Sequence, residues 1–329
     1  MTKEQENFEQ EPYLFEIHPS MQLSKLHEEL SIAKSKGKLA FVLGNGINKY
    51  AHGKDAISWE ELLKGLWNTK LDPKDFPNSK YGLSLTEVFD IMCMKTKGSW
   101  DESIKSYRKD IIDTFKSVPL NDKLQKQLEA LGVPVLTTNY DSSIEGKLHK
   151  HTVRASSVYP LEEYFSNSEI TKDNYGHAFS VWHIHGRHNH QKSIRLGTAD
   201  YMGLLTYTRN YLQKGANLFN VKKEGDPWGI IKYGTESQEA NYRFSWLEIF
   251  YNCSLCINGL GLNSDETYLR WLLISRKKYL DRIGSKQTGW YICSSSDLDD
   301  GKKFFLKNVG FNIVIINDLV MRYKKLFEF

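Results

Sequence analysis

The most informative segment of the chain is 38–48, which reads Lys-Leu-Ala-Phe-Val-Leu-Gly-Asn-Gly-Ile-Asn. Its apolar run has the length of a buried strand, and the two glycines that follow allow a tight turn into a helix. Glycine also lets a phosphate approach the backbone N–H groups at a helix start. The third glycine of a dinucleotide-binding turn is replaced by Lys49. The segment therefore leaves two interpretations open, a nucleotide-binding turn and an ordinary strand-to-helix turn.

Apolar runs of strand length recur downstream and alternate with segments of helical periodicity. Nearly all-apolar strands that alternate with helices are typical of a parallel sheet covered on both faces. The sequence therefore predicts an α/β fold, a Rossmann-like, doubly wound and mostly parallel sheet with a helical insertion. The predicted strands are 38–43, 133–138, 179–183, 254–258, 288–293 and 312–316.

Two insertions interrupt this alternation. The first, at about 58–131, has helical spacing throughout, and we call it the helical block. The second, at about 187–241, is rich in Gly, Tyr and Lys and is predicted to be irregular. Within it we expect a short strand at 193–196 and a helix through 206–212.

Composition excludes several classes of protein. The 329 residues include 44 Lys and Arg against 40 Asp and Glu, and this dilute net charge of +4 does not fit a dedicated nucleic-acid binder. The apolar runs are too short to span a membrane, and residues 1–12 lack the apolar core of a signal peptide. Four cysteines suit thiols in a reducing compartment. We therefore expect a cytoplasmic protein with a polar tail at 1–20 and a sheet domain at 21–329.

Polar side chains follow the second predicted strand, where the sequence reads Thr137-Thr138-Asn139-Tyr140-Asp141. The carboxyl ends of parallel strands form the crevice in which α/β sheets bind ligands. Asn139 and Asp141 are therefore candidate site residues. In the alternative interpretation Asn139 turns the chain and Asp141 caps a helix that runs to Lys150.

Histidines surround the end of the third predicted strand. Alternation along the strand predicts that His183 and His185 share one face, and Gly186 marks the strand end. An imidazole that titrates near neutral pH is a candidate general base, and a structural role suits the deeper His183 better than His185. Because His188 and His190 follow, a zinc site is a second interpretation. No carboxylate or cysteine at ligand spacing nearby supports it.

A further glycine turn follows the fourth predicted strand. Cys253 and Cys256 have the spacing of metal ligands, but only two other cysteines exist, so buried thiols are the better interpretation. The strand then ends in Gly259-Leu260-Gly261, and Asp265 lies at the start of the next predicted helix.

Taken together and in this order, these segments resemble the bacterial sirtuin-like family. The resemblance implies a Rossmann-type sheet, an NAD pocket and, in many bacterial members, NAD hydrolysis in defence against phage. The paired Cys-x-x-Cys zinc ribbon of protein-deacylating sirtuins is missing, which favours NAD hydrolysis over deacetylation. The segments that carry the resemblance are 43–48, 58–63, 137–141, 185–186 and 259–261 with Asp265.

The resemblance also implies roles for individual residues. Asn139 and His185 match the catalytic asparagine and histidine of the family; we expect Asn139 to position the ribose and water, and His185 to orient water or a ribose hydroxyl and accept its proton. The glycine turn is expected to hold the pyrophosphate, and Asp141 to support its loop. No metal is expected. The residues predicted to bind NAD are Gly44, Asn45, Gly46, Asn48, Thr138, Asp141, Gly259 and Gly261.

The sequence thus predicts an enzyme that converts NAD and water into nicotinamide and ADP-ribose. By the logic of the family it would be the toxic effector of an abortive-infection system, restrained by homo-oligomerisation or by a separate regulatory or sensor subunit. One alternative is a non-catalytic module that senses NAD or ADP-ribose and assembles with a partner. Another is a metal-dependent hydrolase that uses His183, His185, His188 and His190.

Overall fold

The structure is a computed structural model, which describes residues 19–77, 82–152, 163–171, 174–218, 245–263 and 266–329. The strands in these residues are β1 (Leu39–Leu43), β2 (Pro134–Thr137), β3 (His149–Thr152), β4 (Glu163–Ser166), β5 (Ser180–His183), β6 (Ser254–Asn258), β7 (Gly289–Cys293) and β8 (Phe311–Ile315). All eight belong to one sheet with the order β3-β4-β5-β2-β1-β6-β7-β8.

Helices cover both faces of this sheet and form the helical block. Those of the described residues are α1 (Pro19–Ser35), α2 (Gly46–His52), α3 (Trp59–Lys70), α4 (Leu85–Lys95), α5 (Trp100–Lys116), α6 (Asp122–Leu131), α7 (Thr198–Leu218), α8 (Trp246–Asn252), α9 (Thr267–Arg282), α10 (Asp300–Asn308) and α11 (Leu319–Leu326). Among them, none is long and apolar enough to cross a membrane.

Six parallel strands form a continuous part of the sheet, from β5 through β2, β1, β6 and β7 to the edge strand β8. Numbered along the chain, they follow the order 3-2-1-4-5-6 of doubly wound, dinucleotide-binding folds. The order reverses between β1 and β6, which pair from Leu39 opposite Ser254 to Leu43 opposite Asn258. The predicted Rossmann-like α/β fold is confirmed, and its switch point lies at the carboxyl ends of β1 and β6, at Leu43 and Asn258.

Two strands of the sheet have no counterpart in the prediction. β3 and β4 extend the sheet beyond β5 in antiparallel order. β3 reads His-Lys-His-Thr and is largely exposed, so it lacks the apolar run from which the other strands were predicted. The strand predicted at 193–196 is wrong, because residues Gln191–Ser193 form a single 3-10 turn and an extended segment outside the sheet follows.

The first three helices of the helical block each begin at a capping box. Ser58 and Glu61 form a complete capping box at the start of α3, and α4 and α5 begin with equivalent boxes. α3, α4 and α5 share a core of their own, to which Tyr140 from the loop after β2 contributes. α6 instead packs on the sheet through Leu124 and Leu128. The block is therefore anchored to the carboxyl end of the sheet through Tyr140.

Parts of two predicted segments lie outside the described residues. Residues 1–18 of the predicted polar tail are among them, and α1 begins at Pro19. The predicted irregular insertion at about 187–241 contains the long helix α7, and its residues 219–241 also lie outside the described part.

Candidate active site

A cavity of about 530 Å³, open space at its mouth included, lies at the carboxyl ends of β1, β2 and β5. Residues from the helical block and the segment before it, including Ile57, Trp59 and Phe115, form part of its wall. Six of the ten predicted site residues line it, namely Asn45, Asn48, Thr138, Asn139, Asp141 and His185. The structure therefore brings side chains from three strand ends into one space.

The predicted glycines of the turn after β1 contact the loop after β6 instead of lining the cavity. The Gly44 N–H donates to the Asn258 carbonyl at 3.1 Å, and the Gly46 N–H donates to the Gly259 carbonyl at 2.9 Å. A Cβ on Gly46 would lie 2.5 Å from the Gly259 Cα, so only glycine allows the two loops to approach this closely. These glycines and Gly261 do not line the cavity in the described structure. The Gly46 N–H is committed to a carbonyl rather than to a ligand.

Asn48 and Asp141 form the centre of a polar network at the cavity wall. The Asn48 side-chain amide donates to the Asp141 carboxylate at 2.6 Å and to the Asn45 side-chain carbonyl at 3.3 Å. The other Asp141 oxygen accepts the Ser143 N–H at 3.0 Å. The Asn45 amide donates to the Ile57 carbonyl at 2.9 Å. This network fastens the β1 loop to the β2 loop and to the start of the helical block.

The environment of Asp141 distinguishes between its two predicted roles, support of the loop and capping of a helix. Residues 143–147 form turns and β3 starts at His149, so the helix to Lys150 that Asp141 would have capped does not form. Both Asp141 oxygens are instead used within the loop network, and its side chain is buried.

Asn139 is held from three sides. Its N–H donates to the Thr137 hydroxyl at 3.1 Å, and its side-chain amide donates to the Gly44 carbonyl at 3.2 Å. Its own carbonyl accepts a hydrogen bond from His183 Nδ1 at 2.8 Å. The residue is buried and nevertheless reaches the cavity. Asn139 therefore presents a polar side chain to the cavity from a rigid backbone.

His185 lies in an apolar part of the wall. It is 3% exposed, its ring packs against Tyr201 and Tyr268, and Nδ1 shares a hydrogen bond of 3.4 Å with the Tyr201 hydroxyl. Burial, with a smaller effect from the Arg195 guanidinium, lowers the pKa of His185 to about 3. Nε2 is buried and has no hydrogen-bond partner among the residues that the structure describes. His185 is thus a neutral imidazole with one ring nitrogen left for a ligand.

The other histidines do not join His185. β5 ends at His183, and the chain then turns, so the predicted shared face is wrong. His183 lies 3.2 Å from the buried Glu145 carboxylate, and His188 Nδ1 is 3.0 Å from the Tyr140 carbonyl. His190 is partly exposed, and its Nδ1 lies 3.9 Å from a carboxylate oxygen of Glu163 on β4. Within the described residues, no group of three or more His, Cys, Asp or Glu side chains is placed to hold a metal ion.

A family model for the SIR2-like domain matches residues 133–313, more than half of the chain. The chain belongs to the SIR2-like family. The match runs from the start of β2 into β8 and includes both Asn139 and His185, while the Gly44–Asn48 turn precedes it. Curated proteins give no match. Because SIR2-like domains use NAD, the family points in general to an NAD-dependent enzyme.

The cysteines of this SIR2-like chain are buried thiols. All four are free, and none lines the cavity in the described residues. Burial raises the pKa of Cys253 to about 12, which keeps its thiol protonated at neutral pH. Cys253 and Cys256 thus behave as small apolar residues, as the sequence predicts.

Several residues of the SIR2-like site were not predicted. Four aromatic residues, Trp59, Phe115, Tyr140 and Tyr201, line the cavity together with Glu266. Trp59 directly follows the capping Ser58, and Tyr140 lies between Asn139 and Asp141, so both had a local signal. Phe115 and Tyr201 had none, since their positions depend on how α5 and α7 pack. Asp265, expected near the late glycine turn, lies outside the described residues.

An ion-pair cluster connects the helical block to the loop that follows His185. The Arg108 guanidinium on α5 donates to both carboxylate oxygens of Asp200, each at 2.9 Å. Arg195 lies 3.7 Å from the same carboxylate. Both Arg108 bonds come from one nitrogen, Nη2, and hydrogen bonds between charged groups are stronger than those between neutral ones. The cluster therefore fixes the wall that carries His185 relative to the wall formed by the block.

Proposed function

We propose that this SIR2-like protein is an NAD hydrolase that converts NAD and water into nicotinamide and ADP-ribose. The observation that carries the proposal is that Asn139 and His185 line the same cavity in a SIR2-like domain. In this reaction the bond between nicotinamide and the ribose carbon breaks, a bond from water oxygen to that carbon forms, and one proton is released. The protein must hold the dinucleotide and orient the water.

The residues of the cavity fit such a substrate. Asn45 and Asn139 each use one side-chain N–H within the protein, to the Ile57 and Gly44 carbonyls, and the second N–H of each matches hydroxyl and phosphate oxygens. The rings of Trp59 and Phe115 offer surface to a flat base. The glycine turn contributes by its position rather than by the Gly46 N–H, which is already bonded. In this proposal the Asn45 amide is the group of the turn that donates to the substrate, while Asn48, whose two side-chain N–H groups bond Asp141 and Asn45, holds the turn in place.

Asn139 and His185 have different roles toward the water and the ribose. The Asn139 amide positions the nicotinamide ribose and the attacking water. When His185 Nδ1–H donates to the Tyr201 hydroxyl oxygen, Nε2 carries a lone pair that accepts a hydrogen bond from water or from a ribose hydroxyl. A pKa near 3 makes this imidazole an orienting acceptor rather than a strong base.

The assignment is tested with Asn139→Ala and His185→Ala. Nicotinamide released from NAD by the purified protein is measured, and we expect each variant to lose about a hundredfold or more of the rate. His190→Ala serves as the matched control, because His190 is partly exposed and does not line the cavity. Wild-type rates in the two alanine variants would contradict the assignment. Stoichiometric NAD binding without nicotinamide release, even with a partner present, would indicate the non-catalytic sensing module instead.

We further propose that this activity is the toxic effector of an anti-phage, abortive-infection system. Uncontrolled NAD loss would harm the host, so homo-oligomerisation or a separate sensor subunit is expected to restrain it. Cellular NAD is measured after phage infection in cells that carry the chain with the product of its neighbouring gene. We expect NAD to fall in these cells and to persist with His185→Ala. Light scattering of the purified chain, alone and with that product, tests the oligomer and the partner.

A further inference from the structure

A buried ion pair lies behind Asn139 and outside the cavity lining. His183 Nε2 is 3.2 Å from a Glu145 carboxylate oxygen, and the two side chains are 3% and 4% exposed. On its other side, His183 Nδ1 is 2.8 Å from the Asn139 carbonyl oxygen. A carbonyl only accepts, so Nδ1 is the donor in that bond.

The surroundings of the pair support a charged imidazole. Burial alone lowers the pKa of His183, but the adjacent Glu145 carboxylate and the Asn139 carbonyl outweigh it and leave that pKa raised. The Arg187 guanidinium, which stacks 4.3 Å above the Phe165 ring, opposes protonation of His183 and lowers the pKa of Glu145. An ion pair in this position is costly to desolvate and is weak evidence for stability. Because His183 of this pair contacts the site residue Asn139, we consider a role for the pair other than stability.

We propose that His183, which is paired with Glu145, is a positioning residue that holds the Asn139 backbone, and through it the Asn139 amide, at the cavity wall. The proposal rests on the proposed function for its kinetic consequence. The Thr137 hydroxyl fixes the N–H of Asn139, and His183 fixes its carbonyl. Without the second contact the peptide is free to rotate, and a shift of about 1 Å in a site residue is enough to cost about a hundredfold in rate.

Two double variants separate this contact from the ion pair. His183→Asn places an amide N–H near the position of Nδ1, and His183→Gln places one near Nε2. Each is combined with Glu145→Gln, so that neither variant leaves an unpaired buried charge. The first variant retains a donor toward the Asn139 carbonyl, and the second lacks it. Thermal unfolding is measured as the control, and we expect both variants to fold and to lose stability to a similar extent.

Two measurements are made on these variants. For nicotinamide release we expect kcat within about threefold of wild type for H183N/E145Q and about tenfold to a hundredfold lower for H183Q/E145Q, with KM changed little in both. Hydrogen exchange by mass spectrometry reports the backbone directly. We expect faster exchange at 138–142 in H183Q/E145Q only.

The outcomes distinguish this proposal from the proposed function. Equal kcat and equal exchange in the two double variants would overturn the positioning role while leaving NAD hydrolysis intact. A wild-type protein that releases no nicotinamide would overturn the proposed function. In that case the exchange difference still decides whether His183 fastens Asn139, and its absence would overturn that role too.

Discussion

His185 shows how its environment sets the protonation state of one residue. The pKa of about 3 in the folded protein lies below the ordinary value near 6.5 because the ring is buried and faces Arg195. Between these values the unfolded chain binds a proton that the folded chain does not, so His185 lowers the free energy of unfolding as pH falls. Above pH 6.5 both states are neutral and the residue has no such effect.

We therefore expect the stability of the wild type to depend more steeply on pH than that of His185→Gln. Between pH 7.5 and pH 5.0 the wild type is expected to lose on the order of 2 kcal/mol more free energy of unfolding. Urea unfolding at the two pH values measures this difference. Groups present in both proteins, such as His183, cancel in the comparison. The control is His149→Gln, because His149 is exposed. If the stability of wild type and of His185→Gln depended equally on pH, the expectation would be contradicted.

At the scale of an element, the turn after β1 is shaped by its contact with the turn after β6. We expect Gly46→Ala to lower the free energy of unfolding by about 1 to 3 kcal/mol, because its Cβ would meet the Gly259 Cα and the Tyr323 hydroxyl, each at 2.5 Å. Gly65→Ala is the matched control in a helix, with nothing within 4 Å of the added Cβ. It should raise stability by about 0.5 to 1 kcal/mol. Equal unfolding curves for the two variants would show that the loops tolerate separation.

At the scale of the whole molecule, the cavity lies between the strand ends and the helical block. ADP-ribose bound there should contact both parts, so we expect slower hydrogen exchange at 57–62 and at 138–141 when it is added. Residues 300–315, at the far edge of the sheet, should exchange unchanged and provide the internal control. Mass spectrometry of peptides from these ranges makes the comparison. Protection confined to 300–315 would place the ligand elsewhere.

Most of the sheet was predicted because its information is local. A run such as Leu39–Leu43 is apolar at every position, as a strand covered on both faces requires, and Ser58 with Glu61 marks a helix start. β3 was missed because its exposed His-Lys-His-Thr sequence has no such pattern. It becomes a strand through its pairing with β4.

The candidate site too was predicted only where the information is local. Asn139 and His185 were predicted from their place after apolar strands, since parallel strands bring their carboxyl ends together. The face on which His185 lies was not predicted correctly, because side chains alternate between faces only within a strand and β5 ends at His183.

The sequence alone determined the α/β class, the strand ends at which polar residues gather and the start of each helix in the block, since these depend on neighbours along the chain. Only the tertiary structure decided that Gly46 approaches Gly259, that Glu145 pairs with His183 and that Phe115 and Tyr201 complete the cavity. Those partners are far apart in sequence. They meet because side chains fill the space between packed elements, and that space exists only once the sheet and its helices have assembled.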